Sequence, residues 1–157
     1  KRKAAEVVLM EPMLIGLDMM NDPSMEKDLD NLMEMRVTTI SQEKDEEGED
    51  FVLEVKSVTL VKNEIAMFPD SVTLRGKNHV QALKELVKKN QKTGVLFVCQ
   101  RPDATSFQPM WQRDDKFCYA LHEAHKFGVK MWCITLSISE NGIKYNKEIP
   151  IYLDQNK

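Results

Sequence analysis

Glu54 and Lys56 stand two residues apart in the stretch 51–60, FVLEVKSVTL, where side chains alternate in character. A period of two describes a strand, so Phe51, Leu53 and Val55 share one face while Glu54 and Lys56 project side by side from the other. Metal-dependent phosphodiester cleavage uses such a pair: the carboxylate holds a hard cation and the ammonium steadies an attacking water or a phosphate oxygen. The tripeptide alone fits equally an ion pair on the solvated face of a half-buried strand. Asp70, reached through Phe68-Pro69, is positioned to return a second carboxylate to the same place. Asp18, inside the apolar run 14–20, is a third candidate, because a carboxylate there is costly unless it ends a strand, is paired or binds a cation.

The residues around the pair extend the signal. Glu54-Val55-Lys56-Ser57-Val58-Thr59-Leu60, Met67-Phe68-Pro69-Asp70 and Thr73-x-Arg75-Gly76-x-x-His79 are followed by Leu96-Phe97-Val98-x-Gln100-Arg101-x-Asp103-Ala104 and Ile149-Pro150. Together these motifs resemble the sugar fermentation stimulation protein family, over about two thirds of the chain. The resemblance implies a restriction-endonuclease-like fold of the PD-(D/E)xK class. It also implies a Mg²⁺ (or Mn²⁺) cofactor, with Asp18, Glu54 and Asp70 as metal ligands and Glu54, Lys56, Asp70 and Gln100 as catalytic residues. The implied activity is metal-dependent nuclease chemistry on DNA or RNA. The alternative is a non-catalytic DNA-binding or regulatory role connected with sugar metabolism. The family also has an N-terminal OB-fold domain, for which no counterpart is legible here. One departure concerns the first acid. The family joins its first two strands by a short hairpin, whereas a long polar segment, 21–50, separates Asp18 from Glu54. Either this segment is an insertion, or 35–41 is the true first strand and the first acid is missing.

Composition bounds the remainder. With 157 residues, 42% hydrophobic and 30% charged, the chain is expected to form one soluble nuclease-like domain with a real core. A net charge of −3 argues against binding nucleic acid through bulk charge, so any contact must come from a local basic patch, weak and non-specific. Cys99, Cys118 and Cys133 lie in apolar stretches without C-x-x-C spacing, which fits reduced core thiols in a cytoplasmic or other reducing compartment. The basic start, Lys1-Arg2-Lys3, leads into an apolar run that Glu6, Glu11 and Pro12 interrupt, too short for a secretory core or a membrane span. Neither a membrane nor export is expected. The chain begins without methionine, so a fragment or processed product is open, as is its oligomeric state.

The elements that must position these residues follow in order. Segments 6–10 and 13–20 read as short strands, 25–35 as a short helix and 43–50, EKDEEGED, as a solvated acidic loop without calcium-loop spacing. Asn63-Glu64 marks a turn, with 65–68 returning as a strand. A helix capped by Ser71 or Thr73 runs to about 90, closed by Thr93-Gly94, with Val80, Leu83, Leu86 and Val87 buried. Its first turns carry Arg75, Lys77 and His79, which with Arg101 are the candidate phosphate-contacting residues. The apolar run 95–100 belongs at the sheet centre and delivers Gln100 and Arg101 to its mouth. The loop 102–113 either covers the site or plugs the core. Asp114-Asp115 starts a second helix with Phe117, Leu121 and Ala124 inward, ended by Gly128. Cys118, His122 and His125 share a face on it, but zinc would need a fourth ligand, and His122-Glu123-Ala124-His125 falls a residue short of H-E-x-x-H. A strand over 129–138, an Asn141-Gly142 hairpin and a last segment 149–153 complete an α/β (α+β) fold with a mixed central sheet flanked by helices.

Overall fold

Thr73 and Asp114 start the two helices found among the residues that the computed structural model describes, 41–44, 50–140 and 142–155. Thr73 accepts a hydrogen bond from the Gly76 N–H at 2.9 Å and opens α1, Leu74–Lys88. Asp114 accepts from the Phe117 N–H at 2.9 Å and opens α2, Asp115–Phe127. Gly128, at φ 110°, closes α2 in the left-handed conformation that glycine adopts without strain. The close of α1 differs from expectation. Lys89 caps it and Asn90 takes the left-handed turn at φ 63°, while Thr93 and Gly94 already belong to the next strand.

The main sheet has five strands: β1 (Ser41–Lys44), β2 (Asp50–Val58), β5 (Lys92–Cys99), β7 (Lys130–Ser139) and β8 (Gly142–Ile149). Their order is β1-β2-β5-β7-β8, with β2, β5 and β7 parallel and both outer pairs antiparallel. The fold is therefore mixed α/β, as expected, and the apolar run ending at Cys99 is the central strand. Both helices lie on one face. Val80 and Leu83 of α1 and Phe117, Cys118, Leu121 and Ala124 of α2 share a buried cluster with Val52, Val58, Val95, Phe97, Cys99 and Cys133. In β5 the glycine has a packing reason. A Cβ on Gly94 would stand 2.5 Å from the Trp132 ring and 3.0 Å from that of Phe51, so only glycine admits this aromatic pair over the opposite face.

Three expectations need correction. The strand over 51–60 divides: Val58 gives its carbonyl to the Gln100 N–H at 2.9 Å, and beyond Thr59 the chain enters a second sheet. That sheet comprises β3 (Leu60–Lys62), β4 (Ile65–Phe68) and β6 (Ser106–Pro109), in the order β3-β4-β6. The β3–β4 turn is Asn63-Glu64, with φ of 50° and 61°, as the sequence indicates. The loop 102–113 contains β6, a strand the polar and proline-rich sequence hides. Phe107 within it is fully buried and stacks on Phe97 at 4.2 Å, so this segment plugs the core. Thirdly, the acidic stretch 43–50 is not all loop, since Glu43 and Lys44 belong to β1 and Asp50 opens β2. The strands expected at 6–10 and 13–20 and the helix at 25–35 lie outside the described residues.

Candidate active site

β2 places Val52, Glu54 and Val58 on the helix-covered face, at 7%, 8% and 1% exposure, and turns Val55 outward at 44%. The polar pair is thus on the inner face, and the solvated-face reading fails. A buried carboxylate is tolerable only when partnered. Lys56 Nζ donates to Glu54 Oε1 at 2.6 Å, and His79 Nδ1 lies 2.9 Å from the same oxygen. The lysine arrives because i and i+2 share a strand face. The imidazole arrives because α1 anchors Gly76, Val80 and Leu83 in the core and so presents the position before Val80 to β2. Side-chain exposures are 10% for Glu54, 14% for Lys56 and 23% for His79, so the triad forms a half-sheltered cluster that solvent can enter. The sequence motifs include His79, but its spacing gives no sign that it meets Glu54.

The other expected site residues are distributed as follows. Asp70 is exposed, and its Oδ1 accepts from the Ser71 hydroxyl at 3.5 Å. Asp18 lies outside the described residues. The strand seated beside β2 is Ser41–Lys44, which begins where the alternative first strand, 35–41, ends. Among the described residues, no three His, Cys, Asp or Glu side chains are grouped so as to hold a metal ion. Gln100 leaves β5 on the face of Leu96 and Val98 and donates to Ser57 Oγ at 2.7 Å, away from the inward Glu54 and Lys56. Arg75, one helical turn before His79, shares its flank of α1, whereas Lys77 falls on the flank toward α2. Arg101 is ion-paired through both guanidinium edges to Asp103, with Nε to Oδ1 at 3.0 Å. This bond holds the Asp103 carboxyl below its ordinary value. The cysteine–histidine face of α2 disperses: Cys118 is buried, His122 meets Asp154 at 3.2 Å and His125 approaches the Val129 carbonyl at 3.4 Å.

A parallel-centred mixed sheet carrying an inward Glu-x-Lys pair defines a restriction-endonuclease-like domain. Residues 17–142 match the family model described as "Sugar fermentation stimulation protein RE domain". The chain belongs to the sugar fermentation stimulation protein family. It is similar to the homologues of that name from Alkaliphilus metalliredigens, 43% identical over 68% of this chain and 47% of that one, and Saccharolobus solfataricus, 41% identical over 63% and 41%. Among solved structures it resembles one described as Pyrococcus furiosus SfsA in complex with Ca²⁺, with a TM-score of 0.66 and 28% identity over 69% of this chain and 47% of that one. The chain spans less than half the length of each of these relatives. No helix among the described residues is long and apolar enough to cross a membrane.

Proposed function

We propose that this domain binds nucleic acid and cleaves phosphodiester bonds at Glu54 and Lys56 with the help of Mg²⁺ or Mn²⁺. The observation that carries the reading is the convergence of Lys56 and His79 on one oxygen of a nearly buried Glu54. Burying an acid costs free energy, and a lysine and a histidine committed to it where α1 meets β2 are the raw material of a reactive centre. The donor set fits a cation held jointly by protein and substrate. Magnesium keeps several waters and takes one or two carboxylates together with phosphate oxygens. Glu54 would hold it, with Asp70 contributing if the loop 69–73 folds inward, and the ion would polarise a phosphate and lower the pKa of a water. The Pyrococcus furiosus relative is described in complex with Ca²⁺, itself a hard cation that favours oxygen ligands, which supports a cation in this reading.

The chain's own residues supply the rest. Lys56 holds Glu54 in place and, once a phosphate oxygen arrives, has a donor within reach of the developing charge. His79 fixes the carboxylate from the helix side and keeps its rotamer. Arg75, on the same flank, faces the incoming backbone.

A non-catalytic nucleic-acid-binding or regulatory module is the second reading, favoured by the outward Asp70 and the lack of a three-donor group among the described residues. Incubation with labelled single-stranded DNA, duplex DNA and RNA, with Mg²⁺ or Mn²⁺ against a chelator, separates the two. Cleavage that needs the metal and disappears in Glu54→Gln supports the enzyme. Binding without cleavage of any substrate leaves the module.

A further inference from the structure

The groove between α1 and α2 holds a second concentration of charge. Lys84 Nζ lies 4.0 Å and Lys88 Nζ 5.5 Å from the centre of the Phe127 ring. Lys84 and Lys126 both reach the Glu123 carboxylate, at 4.0 and 3.9 Å, and Lys88 pairs with Glu85 at 2.7 Å. At the other end of the helices, the Thr73 N–H donates to Asp114 Oδ2 at 2.8 Å, joining the two N-caps. Contacts at both ends make α1 and α2 parallel neighbours, with Lys84 opposite Glu123 and Lys88 opposite Phe127. Two turns earlier on each helix, about 10.5 Å along the axis, the same register sets Lys77 opposite Lys116.

Like charges facing each other across a groove repel unless an anion lies between them. Glu85 and Glu123 moderate the late end. At the early end Asp114 is committed to the Thr73 and Phe117 N–H groups, the exposed Asp115 stands beside Lys116 in the first turn of α2, and neither Lys77 nor Lys116 forms an ion pair with a described residue. We propose that this groove is a track for the phosphate backbone of a nucleic-acid strand, with Lys77 and Lys116 as its first clamp and Lys84 and Lys88 extending it. The proposal rests on the reading that the domain acts on nucleic acid, and it locates a contact surface on the flank of α1 opposite His79 and Glu54. From Lys77 to Lys88 the row runs about 16 Å along the helix, at about 1.5 Å per residue. With a phosphate about every 3.4 Å along a B-form strand, that length faces four or five of them, roughly. Ammonium point charges in a straight row, flanked by the exposed Leu74 at one end and Phe127 at the other, suit a repeating phosphate better than a folded acidic protein.

The test is fluorescence anisotropy of labelled single-stranded and duplex oligonucleotides from about 50 to about 200 mM salt. It compares the wild type with the double variant Lys77→Gln/Lys116→Gln and with Arg75→Ala. Poly-glutamate serves as competitor, and circular dichroism melting checks the fold. The double variant is expected to melt like the wild type. It should bind at least tenfold more weakly at the low-salt end, with a slope of log affinity against log salt shallower by about two, since each phosphate contact contributes about 0.7 to 0.9. Lysine-dependent binding without cleavage supports the groove while ending the nuclease reading. Cleavage and binding that ignore both lysines overturn the groove alone. A wild type with no salt-dependent binding overturns both. Poly-glutamate that binds in a lysine-dependent way and outcompetes every oligonucleotide assigns the groove to acidic protein and also overturns the proposal.

Discussion

Glu54 shows how much one residue's surroundings change the meaning of its type. On an outward strand face it would be one half of a weak ion pair, worth well under about 1 kcal/mol. At 8% exposure with an ammonium and an imidazole on one of its oxygens it becomes a group whose partners cannot be removed cheaply. Alternation in the sequence shows that Glu54 and Lys56 share a face. It does not show which face is inside, because Phe51, Leu53 and Val55 make the opposite face the more apolar of the two. The helices decide that question, and they decide it through contacts with residues far along the chain. The cysteines illustrate the opposite case, in which the apolar sequence around each residue gives the answer. Burial pushes the Cys118 and Cys133 thiols up to about 12 and raises that of Cys99 as well. A raised thiol pKa keeps the group neutral and unreactive at pH 8. Alkylation at that pH, followed by mass spectrometry, should therefore leave all three unmodified in the native protein and label them in denaturant. Rapid labelling of Cys118 or Cys133 under native conditions would contradict this packing.

At the scale of elements, Asp114 does more than cap its own helix. Its two oxygens accept from the Phe117 N–H of α2 and the Thr73 N–H at the start of α1, so one 6%-exposed carboxylate ties both helix starts together. Asp114→Ala should cost about 3 kcal/mol, more than the loss of an ordinary cap, because a buried and a part-buried donor both lose a charged acceptor. Asp114→Asn should recover part of it. Chemical denaturation measures both, and a loss below about 1 kcal/mol for the alanine variant would mean that water replaces the carboxylate. The cap residues, the inward stripes of both helices and the Asn63-Glu64 turn were legible because each rests on a local rule. β6 was not. Ser106, Gln108 and Pro109 carry no strand pattern, and the segment becomes a strand because β4 offers it a parallel partner and Phe97 offers Phe107 a ring to stack on. The division of 51–60 at Thr59 has a different origin: Leu60, Val61 and Lys62 pair with Met67, Ala66 and Ile65 across the Asn63-Glu64 turn, and the apolar alternation of 51–60 does not mark where the main sheet hands the chain to this hairpin.

For the molecule as a whole, net charge conceals an uneven distribution. Residues 51–157 hold sixteen Lys and Arg against eleven Asp and Glu, while residues 1–50 hold six against fourteen. With residues 40–50 counted, the unit Ile40–Lys157 that carries Glu54 and the α1–α2 groove holds seventeen Lys and Arg against seventeen Asp and Glu, so its attraction for polyanions has to come from where the basic residues lie and not from its total charge. What joins the scales is the claim that the inward Glu-x-Lys pair is a cleavage site rather than a structural ion pair. Lys56→Ala tests this most directly, by single-turnover cleavage of the best oligonucleotide substrate with Mg²⁺, beside a melting curve and the binding affinity of the same variant. If Lys56 stabilises charge on the phosphate, cleavage falls about a hundredfold or more at a temperature where the variant, less stable for the loss of a Glu54 partner, is still folded and still binds. If wild type and Lys56→Ala cleave at the same rate, or if neither cleaves and the variant merely melts earlier, the pair is structural and the catalytic account is wrong.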